Sequence, residues 1–330
     1  MPTLTLAEAE SLVTDALVRC QTSEPNAQSV ARALVAAEAD GLKGHGLSRV
    51  ASYAAQAKVG KVDGFATPTS ERRKPALLAV DAAHGFAYPA IDLALADLPS
   101  IVRDQGLAAA AIRRSHHCGS AGHPVERLAE QGLVALLFAN TPAAIAPWGG
   151  SVGLFGTNPI AFACPLRGRE PVVIDLSLSK IARGNILAAK QRGERIPEGW
   201  ALDSVGRPTT DPEEALRGTM LPLGDAKGTA LALMVELLAA GLTGANFAAE
   251  ASSFLDDKGA PPATGQLIVA FDPAALAGEG ALDRFASLAA AIEHQPDARL
   301  PGSRRLAARK QAAEVGLSVS EQILREIRTL

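Results

Sequence analysis

The chain has 330 residues, 48% of them hydrophobic and 20% charged, with a formal net charge of −3. That balance suits one large or two to three modest globular domains with an ample core, and it excludes a global field for nucleic acid or a membrane surface. Aromatics at 4% argue against a base-stacking platform, and three widely spaced cysteines, Cys20, Cys118 and Cys164, argue for a reducing compartment and against a disulfide framework or a structural zinc site.

The start, MPTLTLAEAE, has neither a basic nor an apolar leader segment, so no secretory signal is expected. In LTLAEAESLVTDALVRC, apolar residues recur at Leu12, Val13, Ala16 and Leu17, a helical spacing. A second helix, PNAQSVARALVAAEAD, has Pro25 in its first turn and Gly41 at its stop. GLKGHGLSRV follows as a glycine-rich turn, then SYAAQAKVG as a helix.

From about residue 76 the texture changes. ALLAVDA, LAAAAIRRS, LVALLFAN, IAFACP and VVIDLS are short apolar runs bounded by Gly, Pro, Asn or Asp, and read as buried strands. YPAIDLALADLPSIVRDQG and residues 121–132 read as helices between them. KGTALALMVELLAAGLTG reads as one long helix, its apolar stretch at 231–242 too short to span a membrane. LDDKGAPPATG (255–265) is a loop and a candidate lid, GQLIVAFDP one more strand, and 281–294, 303–315 and 318–328 are helical. The expected division is a helical segment 1–75, a central α/β unit 76–289 and C-terminal helices 290–330, with the terminal helices packed together.

No Walker A motif exists, and GHGLSR lacks the third glycine of G-x-G-x-x-G and follows a helix, so a Rossmann site is excluded on context. RRSHHCGSAGH (113–123) holds half of the six histidines. It lies between a strand and a helix, where backbone N–H groups and a helix N-terminus favour an anion. A metal site would need convergent acidic ligands that are absent before Glu126, and a Cys118 nucleophile would need a signature that is absent. An anion cradle with an acid/base histidine is the favoured reading, a plain turn the bland one. In GLKGHGLSR, His45 stands four residues before Arg49, a pairing of proton donor and carboxylate fork, or a solvated loop. PWGGSVGLFGTNPIAFACP offers Thr157 and Asn158 to a ligand, or is a turn chosen for packing. LPLGDAKG places Lys227 at a helix start, and VIDLSLS places Asp175, Ser177 and Ser179 where they suit ribose hydroxyls or capping.

Together GHGLSR, SHHCGSAGH, NTPAAIAPWGG, LFGTNPIAFACP, VIDLSLS, IPEGWALD and LPLGDAKGTALALMVELLAAGLTGANF resemble the malate/L-lactate dehydrogenase family of NAD(P)-dependent oxidoreductases, over about residues 5 to 325, nearest its cyclic imino acid reductases. The resemblance implies a non-Rossmann, mixed and largely antiparallel sheet domain flanked by helices. It implies His45 as the catalytic histidine, with Asn185 where a relay Asp would stand and Gly44 where a Ser would stand. Arg49, Thr157 and Arg183 fall at substrate positions. His117, Cys118, Gly119, Ser120 and Ala121, then Asp175, Leu176 and Ser177, then Asp225, Ala226 and Lys227, and Arg299, Gly302, Arg304 and Arg305 of RLPGSRR fall at positions for NADPH or NADH. His116 and His117 are the fallback acid/base pair. No metal, nucleic-acid or membrane partner is expected; a cytoplasmic homodimer is. The implied activity is reduction of Δ1-pyrroline-2-carboxylate or Δ1-piperideine-2-carboxylate by hydride transfer to C2. The alternative is a 2-hydroxy acid dehydrogenase using the same carboxylate grip. A non-catalytic sensor of NAD(P) state and a metal-dependent hydrolase rank behind both.

Overall fold

The computed structural model describes residues 2–330. Strand β1 (Thr3–Leu4) leads into α1 (Leu6–Arg19), whose N-cap Thr5 and Glu8 form a capping box. Helix α2 (Glu24–Ala39) carries Pro25 in its first turn and ends before Gly41 at φ +76°. Two 3-10 turns, Lys43–His45 and Leu47–Arg49, run into α3 (Val50–Lys58). The hairpin β2 (Thr69–Lys74) and β3 (Leu77–Asp81) is followed by α4 (Ala87–Gln105), β4 (Leu107–Ser115), α5 (Gly122–Ala129) and β5 (Val134–Ala139). After β6 (Ile160–Leu166) and β7 (Arg169–Leu176) comes α6 (Arg183–Arg192). A small sheet of β8 (Ala201–Leu202), β9 (Pro208–Thr209) and, after α7 (Pro212–Arg217), β10 (Thr219–Met220) precedes α8 (Ala226–Glu236). The chain finishes with β11 (Thr264–Phe271), α9 (Pro273–Ala277), α10 (Ala281–Glu293), α11 (Ser303–Val315), β12 (Leu317–Ser318) and α12 (Glu321–Arg328).

The main sheet has seven strands in the order β2-β3-β4-β11-β5-β6-β7. Only β3 and β4 are parallel, joined by the α4 crossover; every other pair is antiparallel. Helices α4 and α5 cover one face, burying Leu98, Ile112, Leu128, Leu137 and Ile268. The helical segments from both ends of the chain share a second core of Val13, Leu17, Leu34, Tyr53, Leu317, Leu324 and Ile327, and β1 pairs with β12 through Thr3 and Ser318. The mixed, mostly antiparallel sheet with terminal helices packed together is the architecture expected from the sequence. A third core, with Ile145, Phe155, Leu178, Ile186, Met220 and Val235, lies under the small sheet and α8.

Helices α6 and α7 and the small sheet β8–β10 go beyond what the sequence led us to expect, and the last helix starts at Glu321 rather than 318; two further departures have a clear physical cause. TSERRK forms β2, although every residue of it is exposed. It is an edge strand blunted by charge, so it has no apolar alternation to read, and the boundary expected at residue 75 falls inside its hairpin with β3. The long helix expected over 227–244 stops at Glu236 and continues as a π turn, Leu237–Gly241. Its cause lies in Glu236, which is buried and accepts from Asn140 (3.1 Å), Asn158 (2.7 Å) and the backbone N–H of Ala248 (2.6 Å). Satisfying that carboxylate fixes α8 against the ends of β5 and β6, and the last turn widens.

One ion-pair clamp joins the terminal helices to the sheet unit. Glu126 on α5 is forked by both Arg305 and Arg309 of α11, and Asp40, after α2, is forked by Arg309 and accepts one further bond from Arg305, all at 2.7–3.2 Å. His123 closes the group, with its Nε2 2.8 Å from Asp40. Burial would raise both carboxyls, but hydrogen bonds from His123, Arg309 and Arg305 to Asp40, and from Arg305 and Arg309 to Glu126, together outweigh it and hold both below their ordinary range. Both folded-state values being depressed, the clamp's contribution is full at neutral pH and fades as pH drops below about 4. Arg309→Met should therefore destabilise the protein by about 2–4 kcal/mol at pH 7, with the deficit shrinking at pH 3, as measured by urea unfolding at both values.

Candidate active site

Strand β4 ends at Ser115, and the next six residues turn the chain into α5, with Gly119 at φ +67°. A Cβ at Gly119 would sit 2.6 Å from the Tyr88 hydroxyl, so the turn closes only around glycine. This places His116 and His117 side by side under α3. His116 Nε2 lies 2.9 Å from Gln56 Oε1, and His117 Nδ1 lies 2.6 Å from the Tyr53 hydroxyl. Phe254, from the 248–263 loop, packs on both rings at centroid distances of 4.9 and 5.2 Å. The loop is pinned there by Gln56, which donates to the Phe254 carbonyl (2.9 Å), and by the buried Lys61, which donates to those of Ser253 (2.7 Å) and Asp256 (2.9 Å). The segment expected as a lid, 255–265, overlaps this strap, is fastened at Asp256, and runs into β11 at Thr264.

His45 arrives from the opposite side on the first 3-10 turn. Its ring stacks on His117 at 5.3 Å and 19°. Burial, then the Arg49 charge, pushes its pKa down to about 4. Burial and Arg49 also drive His117 well below the usual imidazole range, and burial takes His116 down to about 3. All three rings are neutral at pH 7. His45 Nδ1 is buried without a hydrogen-bond partner.

Arg49 is half-buried and held by Nε donation to the Gly44 carbonyl at 2.7 Å. Among the described residues only four arginines are partly buried: Arg49, Arg183, Arg305 and Arg309. The last two are neutralised in the clamp; neither Arg49 nor Arg183 has a carboxylate within ion-pair distance. The turn carrying His45 and Arg49 is braced by Glu38, buried on α2, whose carboxylate accepts from the Leu47 N–H at 3.0 Å. A Cβ on Gly46 would meet that carboxylate, so glycine is required there, while Gly44 has open space around it.

A cavity of about 570 Å³ opens between these parts. His45, His117, Thr141 and Thr157 line one end, and residues 118–120, 173–177, Pro301, Gly302 and Arg305 the other. The Thr141 and Thr157 hydroxyls lie 3.3 Å apart. Asp175 is not a free anion: it accepts from Gly122 N–H (2.8 Å) and the Ser120 hydroxyl (3.2 Å), and burial raises its pKa. The first N–H of α5 is thus already taken by the protein's own carboxylate. That end of the cavity suits hydroxyl and amide groups better than a phosphate, which narrows the anion-cradle reading. Cys118 is buried and its thiol is pushed up to about 12, leaving no thiolate nucleophile. Asp40, His123 and Glu126 bring three ligand-type atoms within 4.8 Å of one another, but two guanidinium groups already balance the carboxylates.

The structure gathers His45, Thr157, residues 117–120, residues 175–177, Gly302 and Arg305 around this space. Arg49 stands near enough to His45 for its charge to be felt there, but neither it nor Ala121 lines the cavity. It gathers others less closely. Arg305 is committed to Asp40 and Glu126, while Arg299 and Arg304 are exposed. Asp225, Ala226 and Lys227 are exposed at the start of α8, with Asp225 at φ +58°. Asn185 is exposed on α6 and forms no hydrogen bond with His45, whose Nδ1 stays unpartnered. Arg183 opens α6 and donates to the Leu216 carbonyl at 2.9 Å. Asn158, a suggested ligand contact, is wholly buried and spends its amide on Ala232 and Glu236. Tyr53, Tyr88, Gln56, Thr141 and Phe254 were not apparent from sequence, although the chain's only two tyrosines both converge here.

The model of the family described as malate/L-lactate dehydrogenase matches residues 4–328. The chain belongs to this family. A (2R)-3-sulfolactate dehydrogenase (NADP(+)) of Chromohalobacter salexigens is 52% identical, covering 98% of this chain and 97% of that relative. A Δ1-pyrroline-2-carboxylate/Δ1-piperideine-2-carboxylate reductase of Pseudomonas aeruginosa is 41% identical, covering 99% and 98%. The crystal structure of Δ1-piperideine-2-carboxylate reductase from Pseudomonas syringae superposes with a TM-score of 0.95 at 38% identity, covering 100% of this chain and 99% of that one. As a member of the malate/L-lactate dehydrogenase family, the protein is an oxidoreductase. Among its described residues, no helix is long and apolar enough to cross a membrane.

The two glycines flanking His45 separate sterically. Gly44→Ala should leave stability within about 0.5 kcal/mol of the parent. Gly46→Ala should cost about 1–3 kcal/mol by displacing Glu38. Thermal unfolding of the pair distinguishes them, and equal stability of the two would remove the brace.

Proposed function

We propose that this cavity transfers hydride between NAD(P)(H) and a 2-hydroxy acid, with a compound carrying a second anionic group, of the 3-sulfolactate or malate kind, as the preferred substrate. The single observation that carries this reading is Arg49: a half-buried guanidinium with no carboxylate partner, set beside neutral His45 and His117. A buried charge without a partner is costly unless a ligand supplies one. Arg183, the other partly buried arginine lacking a carboxylate, serves as the second anion grip. The relative at 52% identity is a dehydrogenase of such a compound.

The residues present fit the nicotinamide cofactor. The hydroxyls of Ser120 and Ser177 and the backbone of residues 117–120 face a space free of uncapped carboxylates, as a ribose and carboxamide require. Exposed Arg299 and Arg304 flank Gly302 and suit a phosphate, with Lys227 as a further cation. When bound, the nicotinamide carries the hydride chemistry. Arg49 holds the substrate carboxylate in a bidentate fork, and the Thr157 and Thr141 hydroxyls fix the C2 substituent. His45 takes the C2 hydroxyl proton in oxidation and returns it in reduction. Its depressed pKa keeps the ring unprotonated at neutral pH but makes it a weak base; a bound carboxylate beside Arg49 removes one of the charges that depress it, so substrate binding itself raises its basicity. Asn185 is outside this machinery.

A second reading is reduction of a cyclic imine bearing a 2-carboxylate, by the same grip. The 0.95 TM-score to a Δ1-piperideine-2-carboxylate reductase favours it. The molecule is further proposed to work as a homodimer: α8 and its surroundings expose Leu231, Leu233, Met234, Leu237, Leu242, Phe247 and Trp148, an apolar surface that a second copy would cover.

Steady-state assays with 3-sulfolactate, malate and lactate against NADP+ and NAD+, and with five- and six-membered cyclic imines against NADPH and NADH, decide between the readings. Turnover of imines alone would select the second. Arg49→Met should lower kcat/KM for the true substrate roughly a hundredfold or more, since it removes a charged hydrogen-bonding partner. In the oxidation direction His45 must be unprotonated, so kcat/KM should hold level below neutrality and fall only as pH drops through about 4. An acid limb near 6.5 would remove His45 as the base.

A further inference from the structure

His117 has one nitrogen tied into a buried hydroxyl pair. Its Nδ1 lies 2.6 Å from the Tyr53 hydroxyl, which lies 3.1 Å from that of Tyr88. Tyr53 is wholly buried and Tyr88 nearly so. Burial pushes the Tyr53 phenol up to about 12 and Tyr88 well above its ordinary value, so both keep their protons. His117 is neutral and carries one ring proton, on either nitrogen.

The hydroxyl pair discriminates between the two. With the proton on Nδ1, His117 would donate to Tyr53 and Tyr53 to Tyr88, leaving the Tyr88 O–H with no acceptor among the described residues. With the proton on Nε2, Tyr88 donates to Tyr53, Tyr53 donates to Nδ1, and each O–H ends on a lone pair. Gly119 makes the chain possible, because a side chain there would push Tyr88 away.

We propose that Tyr53, backed by Tyr88, is a positioning residue that holds His117 as the Nε2–H tautomer. Nδ1 being occupied, the edge that His117 turns to the cavity beside His45 and Thr157 bears an N–H donor. That donor polarises the oxygen on substrate C2, while His45 handles the proton. A neutral imidazole is the better partner here, since an imidazolium would compete with Arg49 for the carboxylate. The assignment rests on the cavity being the place of hydride transfer.

Long-range 1H–15N correlation spectra of the histidine rings, taken on the intact protein at pH 7, test it. The wild type should show His117 protonated on Nε2. Tyr53→Phe, which keeps the ring and loses the donor, should shift His117 toward the other tautomer and lower kcat by roughly tenfold or more with KM within about twofold, the pattern of a lost preorganised donor. Tyr88→Phe, farther from the ring, should give the same change in smaller measure and guards against a folding defect at Tyr53. A wild-type His117 protonated on Nδ1, or an unchanged tautomer in Tyr53→Phe, overturns the assignment whatever the substrate. A correct tautomer whose resonances do not respond to saturating NADPH overturns instead the reading of the cavity.

Discussion

Arg49 lies half-buried beside three neutral imidazoles and two protonated phenols, and among the described residues no carboxylate lies within ion-pair distance of it. A guanidinium cannot shed its proton to escape this setting. The groups around it adjust: His45 and His117 are driven toward their neutral forms in part by Arg49 itself. Burial is the larger cause at each of these groups; Arg49 adds to it at the imidazoles and opposes it at the Tyr53 and Tyr88 phenols. A guanidinium without a partner carboxylate is also the electrostatically costly kind.

The same fold shows how a compensated set behaves. Arg305 and Arg309 face Asp40 and Glu126 through three bidentate forks and one single bond, with every charge answered. That group ties α2, α5 and α11 together and gives the RLPGSRR segment a rigid base beside the cavity. Two pairs of partly buried arginines thus differ: one is answered by acidic residues of the fold and the other is not, among the described residues. The difference lies only in whether acidic residues were placed beside them.

Much of this was legible in the sequence. The apolar runs gave β3 to β7 and β11, and the turn residues gave the helix stops, because those elements have a buried face to read. The motif around His45 and Arg49 and the paired histidines were visible as chemistry. What escaped depends on distance in the chain. Tyr53 meets His117 across 64 positions, and Arg309 meets Asp40 across 269. No local pattern could say that Arg305, read as a cofactor contact, would be spent on acidic residues from two other helices. Nor could composition show that Asn158 would turn inward to a carboxylate on α8. Strand β2 escaped because its residues face solvent on both sides.

The placement of β11 carries a further consequence. It is the central strand, flanked by β4 and β5, yet it is among the last segments of the chain to be made. Until Thr264–Phe271 leave the ribosome, β4 and β5 each present an open, apolar edge with no partner between them. Assembly of the sheet is therefore a late event dominated by sequence-distant pairing, intrinsically slow and exposed to aggregation while the nascent chain waits. The helical N-terminal segment, made long before, can collapse early but lacks the α12 residues that finish its core, so the sheet core and the terminal-helix core both wait for residues from 264 onward.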